Sequence, residues 1–412
     1  MIRFNLSNRN RQRVLIFICF LVYSFAYVGR YSYNANLMPV MTLYNVTRAE
    51  AGLAGTFFFF AYGVGQLFHA IFCKYYPRRI VVPGVLLISS VLNLCLFFGV
   101  PFVAIKYLWL LNGFCQSVLW PTLVLTLGET IEPELMKQAV FVMSLTVVVG
   151  TVIAYGGSAV FTRVDFFKGS FLLGAGLMLC IGVIWLISYD TLSKQKIKMS
   201  EQVSRSKVKS EQKSSVGFAL VGLVTVSGIL LAIDNFVKEG LNTWTPVILR
   251  EQLGTDDSLS IILTIVLPIF GAVGTMFALR LNQRVKDFRL LNGILFLLLC
   301  GSICGICFCM KQGSIFGTVA FLGFVSCFAY GINSIVINMM PLALRDQANS
   351  GFLAGVMNSA GYVGSTASAY GLGYFADRAG WETVMNILLF TSLGAVIISF
   401  GTTFLSKHNK RR

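Results

Sequence analysis

Hydrophobic residues run along this chain in long blocks separated by short polar breaks. Twelve blocks are about 20 residues or longer, at roughly 14–42, 51–73, 80–99, 102–127, 138–161, 169–189, 216–249, 259–281, 288–310, 314–341, 350–375 and 383–405. Apolar runs of about 20 residues read as membrane-crossing helices, because a helix satisfies every backbone polar group internally. The expected fold is an all-α membrane protein of twelve transmembrane helices.

Composition agrees with that class. Of 412 residues, 56% are hydrophobic and 12% charged, with a mean hydropathy of +0.75. A soluble chain carries about a quarter charged residues. Basic residues then orient the helices. The N-terminus, the even-numbered loops and the C-terminus hold 24 of the 33 Lys and Arg. The odd-numbered loops hold only Arg48, Lys106, Arg163, Lys168, Arg250, Lys311 and Arg378. By the positive-inside rule both termini are cytoplasmic. The net charge of +16 is thus a topology signal and a match for anionic lipid at the cytoplasmic face. No nucleic-acid partner is implied. Arg3, Arg9, Arg11 and Arg13 precede a first span too long for a signal-peptide core, so no cleavage is expected.

The long polar segment after the sixth helix divides the chain into 1–189, a basic cytoplasmic linker at 190–215, and 216–412. An internal echo supports two six-helix halves. Arg30 precedes Pro39 in the first helix of one half, and Lys238 precedes Pro246 in the first helix of the other. Paired halves around a central site are a transporter plan; a channel or a membrane enzyme does not need it.

Candidate chemistry lies where charge meets the bilayer. A cation at its centre costs ~2.5–3.5 kcal/mol even on insertion scales. Arg30 and Lys238 both stand in otherwise apolar helices. In one reading they face each other across the cavity between halves and bind an anion, the arginine through a two-pronged grip and the lysine as a point charge. In the other they are neutralised by Asp234 and Glu239, residues that could equally tune the site or carry a proton. Asp234 lies four residues before Lys238 and shares its helix face, whereas Glu239 is rotated about 100° away and is expected to point elsewhere. Tyr23 and Tyr27 share a face with Arg30, and Tyr62 and Gln66 share one in the second helix. Gly351, Gly355, Gly361 and Gly364 give the eleventh helix small faces for close packing. His69 reads as a wetted helix end, and Glu129, Glu132 and Glu134 as solvated or paired with loop bases.

Other chemistries leave no trace. The ten cysteines read as small apolar residues, and two histidines are too few for a His/Cys metal cluster. No metal, cofactor, nucleophile triad or nucleotide loop is expected. Transport would be secondary, driven by a gradient or by exchange.

Four stretches resemble the organophosphate:phosphate antiporters of the major facilitator superfamily, which include glycerol-3-phosphate and hexose-phosphate transporters. They are Tyr23-x3-Tyr27-x2-Arg30 with Pro39; Asn112-Gly-Phe-Cys-Gln116-Ser117-Val-Leu-Trp120-Pro121; Lys238-x-Gly240 with Trp244-x-Pro246; and Gly361-Tyr362-x-Gly364 with Gly373-Tyr374-x-x-Asp377 and Gly380-Trp381. The resemblance implies a major facilitator fold and a substrate site including Arg30, Lys238 and Trp120. It also implies exchange of a sugar or polyol phosphate for inorganic phosphate, by a monomer in a membrane such as the bacterial inner membrane. This chain departs from the pattern. Lys238 stands where arginine is usual, Gln66 where some members have lysine, and Val147 where the glycerol-3-phosphate type has histidine. Lys74 replaces an acidic residue after the second helix. With Asp234 and Glu239 nearby, a monoanion or a proton-coupled carboxylate is the alternative cargo. A membrane sensor that kept the fold is a further one.

Overall fold

The computed structural model describes residues 8–193, 218–344 and 350–409. Nearly all of the expected linker, 194–215, lies outside the described residues, as do 1–7.

Membrane helices follow the apolar blocks. They are α1 (Asn8–Ala35), α2 (Arg48–Phe72), α3 (Arg78–Phe98), α4 (Phe102–Thr130), α5 (Pro133–Arg163), α6 (Gly169–Leu192), α7 (Phe218–Leu253), α8 (Asp257–Arg284), α9 (Phe288–Lys311) and α10 (Ile315–Met339). The last helical stretch, Ser350–Asn409, holds one apolar span of 53 residues, too long for a single crossing. It breaks at Gly380, whose φ of 75° belongs to the left-handed region that favours glycine. Two crossings result, α11 (350–379) and α12 (381–409). The second returns beside α9, with Lys311 paired to Glu382 at one end and Arg289 donating to the Thr402 carbonyl at the other.

Helix ends and breaks have local causes. Thr47 caps α2 in a reciprocal box with Glu50. In α4 the helix interrupts at Ser117–Val118, four residues before Pro121, whose ring clashes with the carbonyl of Ser117 and which has no amide hydrogen to donate there. The equivalent region of α10 widens to a π-turn at Ile335–Met339, just before Pro341.

The packing repeats with a shift of six. In the first half α1 packs on α5, α2 on α4 and α3 on α6; in the second α7 packs on α11, α8 on α10 and α9 on α12. Gly361 and Gly364 sit directly on α7, and a side chain at Gly364 would collide with the Ala232 carbonyl. Gly355 borders open space instead. Gly351 lies among the residues whose side-chain surroundings are not described.

Two seams join the halves, α2 with α11 and α5 with α8. The first runs from Arg48, at the end that the charge distribution assigns to the outside, down to Gln66, whose amide oxygen accepts from Asn358 at 2.7 Å. Along it Gly52 abuts the Ala369 carbonyl, and Thr56 exchanges hydrogen bonds with the Thr366 and Tyr370 backbone. Among the described residues, the inner parts of α4, α5 and α10 form no comparable seam. Contact between α2 and α11 thus extends, among the described residues, from the outer end at Arg48 inward as far as Gln66 and Asn358.

At the inner end Arg78 grips Glu129 with two bonds of 2.7 and 2.8 Å, as expected for a glutamate paired with a loop base. His69 corrects its expectation. It is 7% exposed and hydrogen-bonded to the Tyr76 hydroxyl at 2.9 Å, because the short helical turn Cys73–Tyr75 folds back over it. All ten cysteines are free, and two of them, Cys180 and Cys304, lie on the exposed surface. No cluster of metal-ligating groups occurs among the described residues.

Candidate central site between the halves

α1 and α7 cross where their charges lie. Tyr31 of α1 donates to Glu239 of α7 at 3.2 Å, and Asn34 donates to Thr243 at 3.3 Å. Arg30 and Lys238 are one residue from this contact, each on its own helix.

Arg30 is 6% exposed and makes no ion pair and no hydrogen bond among the described residues. Five rings surround its guanidinium: Phe58 at 4.6 Å, Tyr62 at 5.1 Å, Tyr27 and Phe59 at 5.2 Å and Tyr31 at 5.4 Å. Each ring contributes roughly 0.5–2 kcal/mol to holding a cation, depending on how dry it is. Rings lower the cost of the buried charge, yet none of them neutralises it. The five donors of the fork stay available.

Lys238 is held differently. Its ammonium lies 3.4 Å from Glu239 and 5.0 Å from the Tyr330 ring centre. Glu239 also accepts from Tyr31 and, at 3.4 Å, from Asn242. This overturns the helix-face expectation for the two carboxylates. Among the described residues Asp234 makes no ion pair with Lys238, and neither of its buried oxygens has a hydrogen-bond partner within bonding geometry. Glu239, adjacent in sequence, reaches back along the helix because both side chains are long enough to bridge the 100° between them.

The remaining candidates form a graded surround. Tyr27 and Tyr62 touch Arg30 directly. Tyr23 does not; its hydroxyl lies 3.3 Å from that of Tyr62, and its ring packs on Tyr27 at 5.2 Å. Trp120, one step further out, packs on Tyr23 at 4.9 Å. Gln66 is engaged by Asn358 across the seam.

Several contributors went unnoticed in the sequence. Tyr31 sits next to Arg30 and closes the bridge between halves. Tyr155 donates to the Asn242 carbonyl at 2.7 Å and packs on Tyr31. Tyr362 faces Tyr62 at 4.9 Å; it lies inside a quoted motif, which was the available signal. Phe58 and Phe59 belong to a run of four phenylalanines that resembles any lipid-facing stretch.

Comparison with known proteins bears on fold and family. The structure is similar to a bacterial homologue of the human lysosomal transporter Spinster in an inward-facing, occupied conformation, with a TM-score of 0.72, 14% identity, and 95% of this chain and 96% of that one covered. It is also similar to a D-xylose-proton symporter, with a TM-score of 0.71, 14% identity and coverage of 95% and 97%. At that identity the likeness is one of fold. In sequence, 107 residues are 31% identical to the membrane sensor protein UhpC of Salmonella typhimurium, covering 26% of this chain. The chain thus spans about a quarter of the length of the curated relative it matches. Residues 19–369 match the Major Facilitator Superfamily, so this multi-pass membrane protein belongs to that superfamily of transporters.

Proposed function

We infer that the chain moves a small organic anion by alternating access, and that its cargo is a sugar or polyol phosphate exchanged for inorganic phosphate. The observation that carries this reading is Arg30: a buried guanidinium at the junction of the halves, ringed by aromatics and ion-paired with no carboxylate among the described residues. A phosphate or carboxylate supplies the missing charge through the arginine fork. The rings of Tyr27, Tyr31 and Tyr62 lie around the same point, and tyrosine hydroxyls suit a polyhydroxylated body.

Proteoliposomes loaded with phosphate test the reading. Labelled phosphate uptake, chased by candidate organophosphates, is expected to show exchange. Absence of exchange with every phosphate would overturn it. Two other readings each have one observation behind them. The buried, unpartnered Asp234 favours proton-coupled organic-anion uptake, which predicts transport that needs an inward proton gradient and is lost in Asp234→Asn. The name of the UhpC relative favours sensing, which predicts ligand binding without turnover.

A further inference from the structure

We propose that Glu239 is a tethered counter-anion, occupying Lys238 until a ligand displaces it, and that it sets the charge of the anion the site accepts. This rests on the anion reading above.

The geometry around Glu239 is that of a carboxylate held loosely. Its contacts to Lys238, Tyr31 and Asn242 measure 3.4, 3.2 and 3.4 Å. Charge-assisted bonds normally close to roughly 2.7–2.9 Å. The same molecule reaches that range where it locks itself: Glu251 and Asp377 hold Arg48 at 2.7 and 2.9 Å, and Glu129 holds Arg78 at 2.7 Å. Glu239 therefore satisfies Lys238 without gripping it. An incoming oxyanion with better geometry replaces it at little cost.

The charge count follows. Arg30 and Lys238 contribute two positive charges and Glu239 one negative, which leaves one positive charge when Asp234, one turn from Lys238, is protonated. A monoanion on Arg30 balances the site with Glu239 in place. A dianion reaches Lys238 only against the repulsion of Glu239 or by displacing it. Displacement also has a mechanical consequence, because the Glu239 bond to Tyr31 joins the two halves. Releasing it removes a tie between α1 and α7 at the moment the ligand arrives.

Glu239→Gln is the matched test, since glutamine keeps the length and an oxygen for Tyr31 but removes the charge. The probes are dimethyl phosphate, a monoanion, and methyl phosphate at pH 8, a dianion. Their affinities are measured by calorimetry on purified full-length protein. The variant is expected to raise the affinity ratio of methyl phosphate to dimethyl phosphate by roughly tenfold, the effect of removing one nearby charge in a partly buried site. Glu239→Asp, which keeps the charge, is expected to retain the ratio of the unmodified protein; it also serves if Glu239→Gln fails to elute as a single folded species, because a ratio that moves in Glu239→Asp as far as in an Asn242 or Tyr31 control would overturn the proposal. An unchanged ratio in Glu239→Gln, with both probes still binding, overturns the role of Glu239 and leaves the anion site standing. Failure of both probes and of inorganic phosphate to bind either protein overturns the anion reading and this one together.

Discussion

Arg48 of the first half is clamped between two carboxylates of the second, Glu251 at 2.7 Å and Asp377 at 2.9 Å. Asp377 also accepts from the Arg48 and Ala49 backbone amides, so it caps the positive end of α2. Trp381 fixes Glu251 from the other side at 2.7 Å. The outer end of the molecule is thus closed by one arginine and one helix terminus acting together.

Arg48→Ala is expected to let this end open. The pairs are partly wet, so together they are worth about 1 kcal/mol, or a roughly fivefold rise in the open population. Spin labels at positions 50 and 378 would report it as a longer-distance component. An unchanged distance distribution would show that the seam below holds without the clamp.

Gly52→Val attacks the same closure sterically. A β-carbon there collides with the Ala369 carbonyl, and a β-branched side chain has no rotamer that avoids it. The seam should stay apart even with Arg48 intact, visible with the same labels. Gly84→Ala, at a glycine bordering open space, should leave the distances unchanged.

Arg30→Lys keeps the charge and loses both the fork and the flat surface that lies among five rings. Phosphate affinity should fall at least tenfold, about 1.4 kcal/mol, with little change in melting temperature. Calorimetry with inorganic phosphate checks it, and undiminished affinity would remove Arg30 from the anion site.

Tyr155→Phe deletes a bond between the halves, from the hydroxyl to the Asn242 carbonyl, and keeps the ring on Tyr31. The cost should be about 1 kcal/mol, seen as a lower melting temperature. If stability is unaltered, that carbonyl has found another donor.

The twelve crossings were legible because apolar length is a property of each segment alone. Arg30 and Lys238 were legible for a related reason, since a charge in an apolar run needs no partner to be noticed. The partners themselves were not. Helix-wheel spacing assigned Lys238 to Asp234, four residues away, but the wheel locates β-carbons and not the ends of long side chains. Glu239 reaches Lys238 by bending back, and Tyr31 reaches Glu239 across 208 positions of sequence. Phe58 and Phe59 became visible only when α2 was placed beside α1, because a ring that faces a cation and a ring that faces lipid are spelled alike.

The turn at Gly380 has a consequence for how the protein is made. One non-helical residue links α11 to α12, so the chain reverses at the outer face with almost no polar loop. Asp377, Arg378 and Glu382 lie on this reversal and have to cross the bilayer with it. The outer clamp on Arg48 is therefore completed by a carboxylate 329 positions further along the chain, and only once α11 has crossed the bilayer.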